Sequence, residues 1–192
     1  AIGIKSSATT QDAALSSIEE SFVKHIIIQM KNQPRDPKAT GLTLEVLVKR
    51  EYETSHIITF VIDVTHYGLD AKRRQITDRI TLLKQNGKIL QWNDIVNKKQ
   101  KTKLCKAASR SLYSFFGVGD FANLKTALTN GSSIAETTFP LPANGPAINA
   151  DGLCLTYDAG EITSPDRGQP VGSIKLQSAW SYLTPAAKKW VK

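Results

Sequence analysis

Between residues 42 and 67 apolar and polar side chains alternate with a period of two, the spacing of half-buried strands. Leu42, Leu44, Val46 and Val48 share one face of a strand predicted over Leu42–Glu53, with Thr43, Glu45 and Lys49 on the other. A second strand, Ser55–Tyr67, turns Ile58, Phe60, Ile62 and Val64 inward and Thr59, Asp63 and Thr65 outward. A third covers Gln75–Leu83. Asn86-Gly87 folds it into a fourth over Lys88–Trp92, since a two-residue hairpin turn favours that dipeptide. One apolar face and one polar face predict an antiparallel sheet with helices on one side.

Helical spacing appears on both sides of this block. Asp12 caps a helix predicted over Ala13–Met30, with Leu15, Ile18, Phe22 and Ile26 on one stripe, stopped by Pro34 and Pro37. Asp94 or Asn97 leads into a second over Lys98–Phe116, whose stripe is Leu104, Ala107, Ala108, Leu112, Phe115 and Phe116, with Gly117 as its left-handed stop. A shorter helix runs from Asp120 to Leu128. Thr138–Pro146, with its prolines and Gly145, reads as a surface loop. Asp151-Gly152 then marks a hairpin, Gly172–Leu176 a returning strand, and Thr184-Pro185 the cap and first residue of a last helix. The whole is an α+β fold, a mainly antiparallel sheet with helices packed on one face. Residues 1–10 are predicted to form a flexible N-terminal segment and 11–192 a single domain.

The order of Asp151-Gly152 hairpin, Gly160-Glu161-Ile162 corner, return strand and proline-started helix resembles one envelope domain family of unknown function. That domain occurs in the extracytoplasmic part of lysozyme-sensing anti-sigma factors and in the non-catalytic region of some peptidoglycan deacetylases. The likeness extends over Thr43–Lys189 through the Asn86-Gly87-Lys88 turn, Trp92-Asn93-Asp94-Ile95 and the lysine-rich helix. It implies an extracytoplasmic compartment, with a leader segment removed before Ala1, and a cell-wall polymer or secreted protein as partner. It also implies a structural corner of Gly160, Glu161 and Gly172, in which the glutamate ties down the loop by hydrogen bonds. Many members carry a Gly-Gly-Ala-His segment where this chain reads Tyr67-Gly68-Leu69-Asp70-Ala71-Lys72, so no role of that histidine transfers.

Charge narrows the partner. The formal net charge is +8 at pH 7, concentrated in Lys98, Lys99, Lys101, Lys103 and Lys106 and in Lys72, Arg73 and Arg74. Such a surface suits an anionic wall polymer better than lysozyme, which is itself basic. Lysine without interleaved aromatics argues against nucleic acid. No apolar run approaches the length of a transmembrane helix.

Chemistry-bearing patterns are scarce. His25, His56 and His66 are the only histidines, and His56 and His66 stand about 30 Å apart along one strand, too far to share a metal. Neither a catalytic residue, a metal site nor a cofactor is predicted. Gly131-Ser132-Ser133 lacks the second glycine of a nucleophile turn, and Gly117-Val118-Gly119 follows a helix rather than a strand, so neither supports acyl transfer or phosphate binding. Cys105 and Cys154 fit buried thiols as well as a bridge. Trp92 and Trp180 are expected in the core and Trp190 at partial exposure. The leading expectation is a non-catalytic binding or sensing module of the envelope. The alternative is a hydrolase acting on envelope glycans through Asp158, Glu161 or Asp166, since paired acids cleave glycosidic bonds.

Overall fold

The computed structural model describes residues 44–67 and 73–192. Residues 1–10, the helix expected over Ala13–Met30, His25 and Lys72 lie outside them. Two three-stranded antiparallel sheets with helices between and after them make an α+β arrangement. The first sheet orders β1 (Leu44–Glu53), β2 (Ile57–Tyr67) and β3 (Arg73–Leu83) consecutively. The second orders β4 (Ala147–Asn149), β5 (Gly152–Thr156) and β6 (Val171–Lys175). Between them run α1 (Trp92–Ile95), α2 (Lys101–Ser111), α3 (Tyr113–Phe116) and α4 (Phe121–Ala127). After β6 come α5 (Leu176–Ala179) and α6 (Pro185–Trp190).

The first sheet departs from the expected one-sided pattern. Ile58, Phe60, Ile62 and Val64 form a buried cluster with Ile80 and Leu82, as the alternation requires. Thr59 and Thr65, expected outward, are buried as well, at 0% and 8% exposure. For Thr59 the cause is β4, which docks on its face. Thr59 and Thr81 are cross-strand partners. The Thr59 hydroxyl donates to the Ile148 carbonyl at 2.5 Å, and the Ile148 amide donates to Thr81 Oγ1 at 3.0 Å. With the Thr59 proton committed, the 2.8 Å contact between the two hydroxyls has Thr81 as its donor. Three hydrogen bonds thus close a ring that satisfies both backbone groups of Ile148 away from water. Glu51 adds a further departure: a bulge between Arg50 and Tyr52 switches the face of β1 and sends Tyr52 toward the larger core.

The fourth strand expected over Lys88–Trp92 is not formed. The Asn86-Gly87 turn is present, and Ile89 makes a single bridge to Leu82. Beyond Leu90 the chain leaves the sheet because Gln91 N–H donates to Asp94 Oδ2 at 2.9 Å, starting α1 instead. Asn97 then caps the next turn, its Oδ1 accepting from Lys99 N, and α2 and α3 replace the single helix expected over Lys98–Phe116, with Gly117 at φ 65° as the stop. The Asp151-Gly152 hairpin turns one residue earlier than expected. Asn149 pairs with Gly152, and the Asn149 carboxamide receives the amides of Asp151 and Gly152 across the turn. Gly152 is required for a second reason: at φ 136°, a Cβ there would run into the Ile174 carbonyl of β6.

The larger core joins Leu104 and Ala108 of α2, and Leu112 at its C-cap, to Leu153 and Leu155 of β5 and to Leu183 and Ala187. Cys105 and Cys154 are both free and buried. Thr184 caps α6 through the Ala187 amide, as its Thr-Pro pair predicts.

One carboxylate is out of place. Asp78 stands opposite Ile62 and is only 8% exposed. Burial, with the charge of Asp158 adding to it, raises its pKa from 3.8 to about 6 despite the Arg79 amide that donates to it. The folded-state value exceeds the unfolded one, so this contribution is complete below pH 4 and is lost as pH rises through about 6. Asp78→Asn keeps the acceptor and removes the charge. We expect it to be more stable than the parent at pH 7, by at most about 3 kcal/mol, with the difference vanishing at pH 4. Urea melts across that range check this; parallel profiles would refute it.

Candidate functional site: a lysine-lined groove

The groove is built from three neighbouring segments. Trp92 of α1 forms one end. Lys98, in the turn before α2, and Lys101, Thr102 and Cys105 at the start of α2 follow, with Lys101 and Cys105 four apart and Thr102 and Cys105 three apart on one side of the helix. Residues 137–143 form the opposite wall of this open groove, whose volume is about 650 Å³. No carboxylate lines it.

That wall, expected as a surface loop, is a strap with buried footings. Phe139 is 1% exposed and packs edge-to-face against Phe121 and Tyr157, at centroid separations of 6.4 and 6.3 Å. Each turn of the strap is then pinned by a hydrogen bond. The Tyr157 hydroxyl donates to the Pro140 carbonyl at 2.9 Å, and burial pushes this phenol up, so it stays a donor. Trp92 Nε1 donates to the Pro142 carbonyl at 2.8 Å. Glu161 closes the set: its Oε1 accepts from the Ala143 amide at 2.9 Å and its Oε2 from the Asp158 amide at 2.8 Å. Prolines suit the strap because they leave few amides needing partners.

These contacts account for the acids near the corner. Glu161 is occupied by two backbone amides, and Asp158 accepts from the Asn144 side chain at 3.0 Å. Asp166 sits in the exposed turn Pro165–Arg167, where the Ser164 hydroxyl holds its carboxyl below the usual range. None of the three lines the groove. Gly160 has φ 89° at the corner. Gly172 is not at the corner but on β6, where a Cβ would strike the Ser111 side chain of α2.

Of the basic residues singled out, Lys98 and Lys101 line the groove, while Lys99 and Lys103 are exposed on the same helix start. Arg73 and Arg74 begin β3, and neither lines the groove. The lysines stand at the positive end of the helix, without an acid in its first turn and without a side-chain cap from Gln100. Each such placement opposes the helix dipole by about 0.3–1 kcal/mol. The sequence alone does not reveal a further basic group, Lys188 and Lys192, whose ammonium groups lie 5.7 and 5.9 Å from the ring centre of Trp180. Trp92 and Trp180, expected in the core, are only partly buried: one stands at the groove and the other under these lysines. Trp190 is partly exposed. Among the described residues, no group of three His, Cys, Asp or Glu side chains is placed to hold a metal, and no helix is long and apolar enough to cross a membrane.

This fold is found in two solved structures of the DUF3298 family, a domain whose function is unknown. The protein from Bacteroides fragilis NCTC 9343 superposes with a TM-score of 0.62 at 12% identity, over 96% of this chain and 74% of that one. The protein from Pseudomonas aeruginosa PAO1 gives 0.57 at 14% identity, over 90% and 71%. At such identities the likeness carries the α+β fold and no activity. No family model and no curated protein matches the sequence.

The Glu161 contacts generate a direct test. A glutamine offers one acceptor where the carboxylate offers two, so Glu161→Gln leaves one backbone amide poorly paired. We expect a loss of about 1–3 kcal/mol in stability. Thermal melts of the two proteins measure it, and an unchanged midpoint would remove the structural role.

Proposed function

We propose that the chain is a non-catalytic, extracytoplasmic module that binds an anionic polymer of the cell envelope through the groove and its flanking lysines. The observation carrying this reading is the groove's lining, in which Lys98 and Lys101 stand without any carboxylate. Among the described residues, Lys98, Lys99, Lys101 and Lys103 take part in no ion pair, whereas Lys84 and Lys88 do. Unpaired cations crowded at the positive end of a helix are a cost that a bound anion offsets. The compartment rests on the resemblance of the Asp151–Pro185 pattern to envelope domains. A secreted basic protein such as lysozyme fits less well, because two positive surfaces repel during approach.

The hydrolase alternative has no such support. A glycosidase needs two carboxyl groups facing a sugar across a groove, one of them raised in pKa. Here Asp158 and Glu161 hold the strap, and the Asp166 carboxyl is shifted downward.

Co-sedimentation with purified peptidoglycan tests the proposal. We expect binding at low salt, release at high salt, and loss of binding in Lys98→Gln/Lys101→Gln with the melting midpoint not lowered, since removing cations from the positive helix end relieves a cost. Absence of binding at low salt would end the wall-polymer reading, and release of soluble muropeptides would overturn the non-catalytic one.

A further inference from the structure

The groove has a basic neighbour contributed by the far end of the chain. Val96 bridges to Leu183, and the Asn97 amide donates to the Tyr182 carbonyl at 2.8 Å. On the other side of the bridge the Thr184 amide donates to the Ile95 carbonyl at 2.8 Å and its hydroxyl to the Asp94 carbonyl at 3.0 Å. The two segments run antiparallel, so Lys98, at the groove's edge, falls beside the turn that carries Trp180. There Lys188 of α6 and Lys192, just past its end, converge on a single indole. Like charges so placed repel. Among the described residues neither lysine has an ion-pair partner, and the nearest acid of the bridge, Asp94, is bound to Lys88.

Resting on the proposed groove reading, we infer that Trp180, Lys188 and Lys192 form a second anion subsite, and that the partner is a carboxylate-bearing glycan chain long enough to occupy both. One anionic group sits at Lys98 and Lys101 and another between the ammonium groups at Trp180. The groove adds three hydroxyl-bearing side chains, Thr102, Thr137 and Thr138, and an indole edge, a mixture suited to sugar rings and their hydroxyl groups. Single-stranded nucleic acid fits less well. Its bases need open aromatic faces, and Trp180 carries its own lysines over the ring.

Oligogalacturonates, with one carboxylate per ring, are the probe. A trimer and a chain about three times as long are titrated calorimetrically into the full chain at low salt, beside oligothymidylate of equal charge. Linking two subsites turns the second contact into an intramolecular one, so we expect the longer chain to bind at least about tenfold more tightly than the trimer. Lys188→Gln/Lys192→Gln should erase that gain and leave the trimer unaffected, while Lys98→Gln/Lys101→Gln should weaken both. A Lys188→Gln/Lys192→Gln variant that keeps the length gain overturns the second subsite and leaves the groove reading standing. Failure of both oligomers to bind, or binding that survives the groove variant, overturns the groove reading itself. Tighter binding of the thymidylate would overturn the choice of a glycan.

Discussion

The backbone of Ile148 depends on two threonines. β4 is only three residues long, and its pairing with β5 runs along one edge. Its other edge meets the face of the first sheet, where a strand's amide and carbonyl have no ladder to join. Leaving such groups buried and unpaired costs about 1–3 kcal/mol each. The Thr59–Thr81 pair removes that cost by offering one acceptor and one donor at the required spacing, and the hydroxyl-to-hydroxyl bond orients both. A directed ring of this kind strengthens each member relative to an isolated bond. It is the polar joint between two sheets that otherwise meet through apolar packing.

The groove depends on that joint at one remove. β4 and β5 lead into Tyr157, and Tyr157, Glu161 and Trp92 hold the strap over the start of α2. The strap's long-range hydrogen bonds go to Tyr157, Trp92 and Glu161, side chains carried by other parts of the fold, so the concavity is set by the fold as well as by the strap's own conformation. The lysines break the local rule of helix charge placement, and the buried stripe of α2 supplies the stability that permits it. Stability comes from the apolar face of the helix, and its charged face is left available for a ligand.

Much of the architecture is legible in the residues. Period-two alternation in β1 to β3, the Asn86-Gly87 turn, the Thr184 cap and the Gly117 stop are local devices, each readable over a few positions. What escapes is non-local. Thr59 looks like a solvent-facing strand residue because nothing nearby in sequence announces the strand that covers it. Lys88–Trp92 reads as a strand from its hairpin, yet a single carboxylate at Asp94 diverts it. The strap's prolines look like surface loop until Phe139 and Tyr157 are seen together. Lys188 and Lys192 sit ninety residues from the lysines of α2, and only the Val96–Leu183 bridge makes them neighbours. The role of Glu161 was approachable through the resemblance, whereas its partner, the Ala143 amide, was not.

Native-state hydrogen exchange at the Ile148 amide probes the joint most directly. A ring that fuses the two sheets into one cooperative unit makes this amide exchange only through whole-molecule unfolding, with the same opening free energy as the most protected amides of β2. An Ile148 amide that opens at a markedly lower free energy, while β2 stays protected, would mean that the second sheet detaches by itself. It would contradict the account of how the groove is held in place.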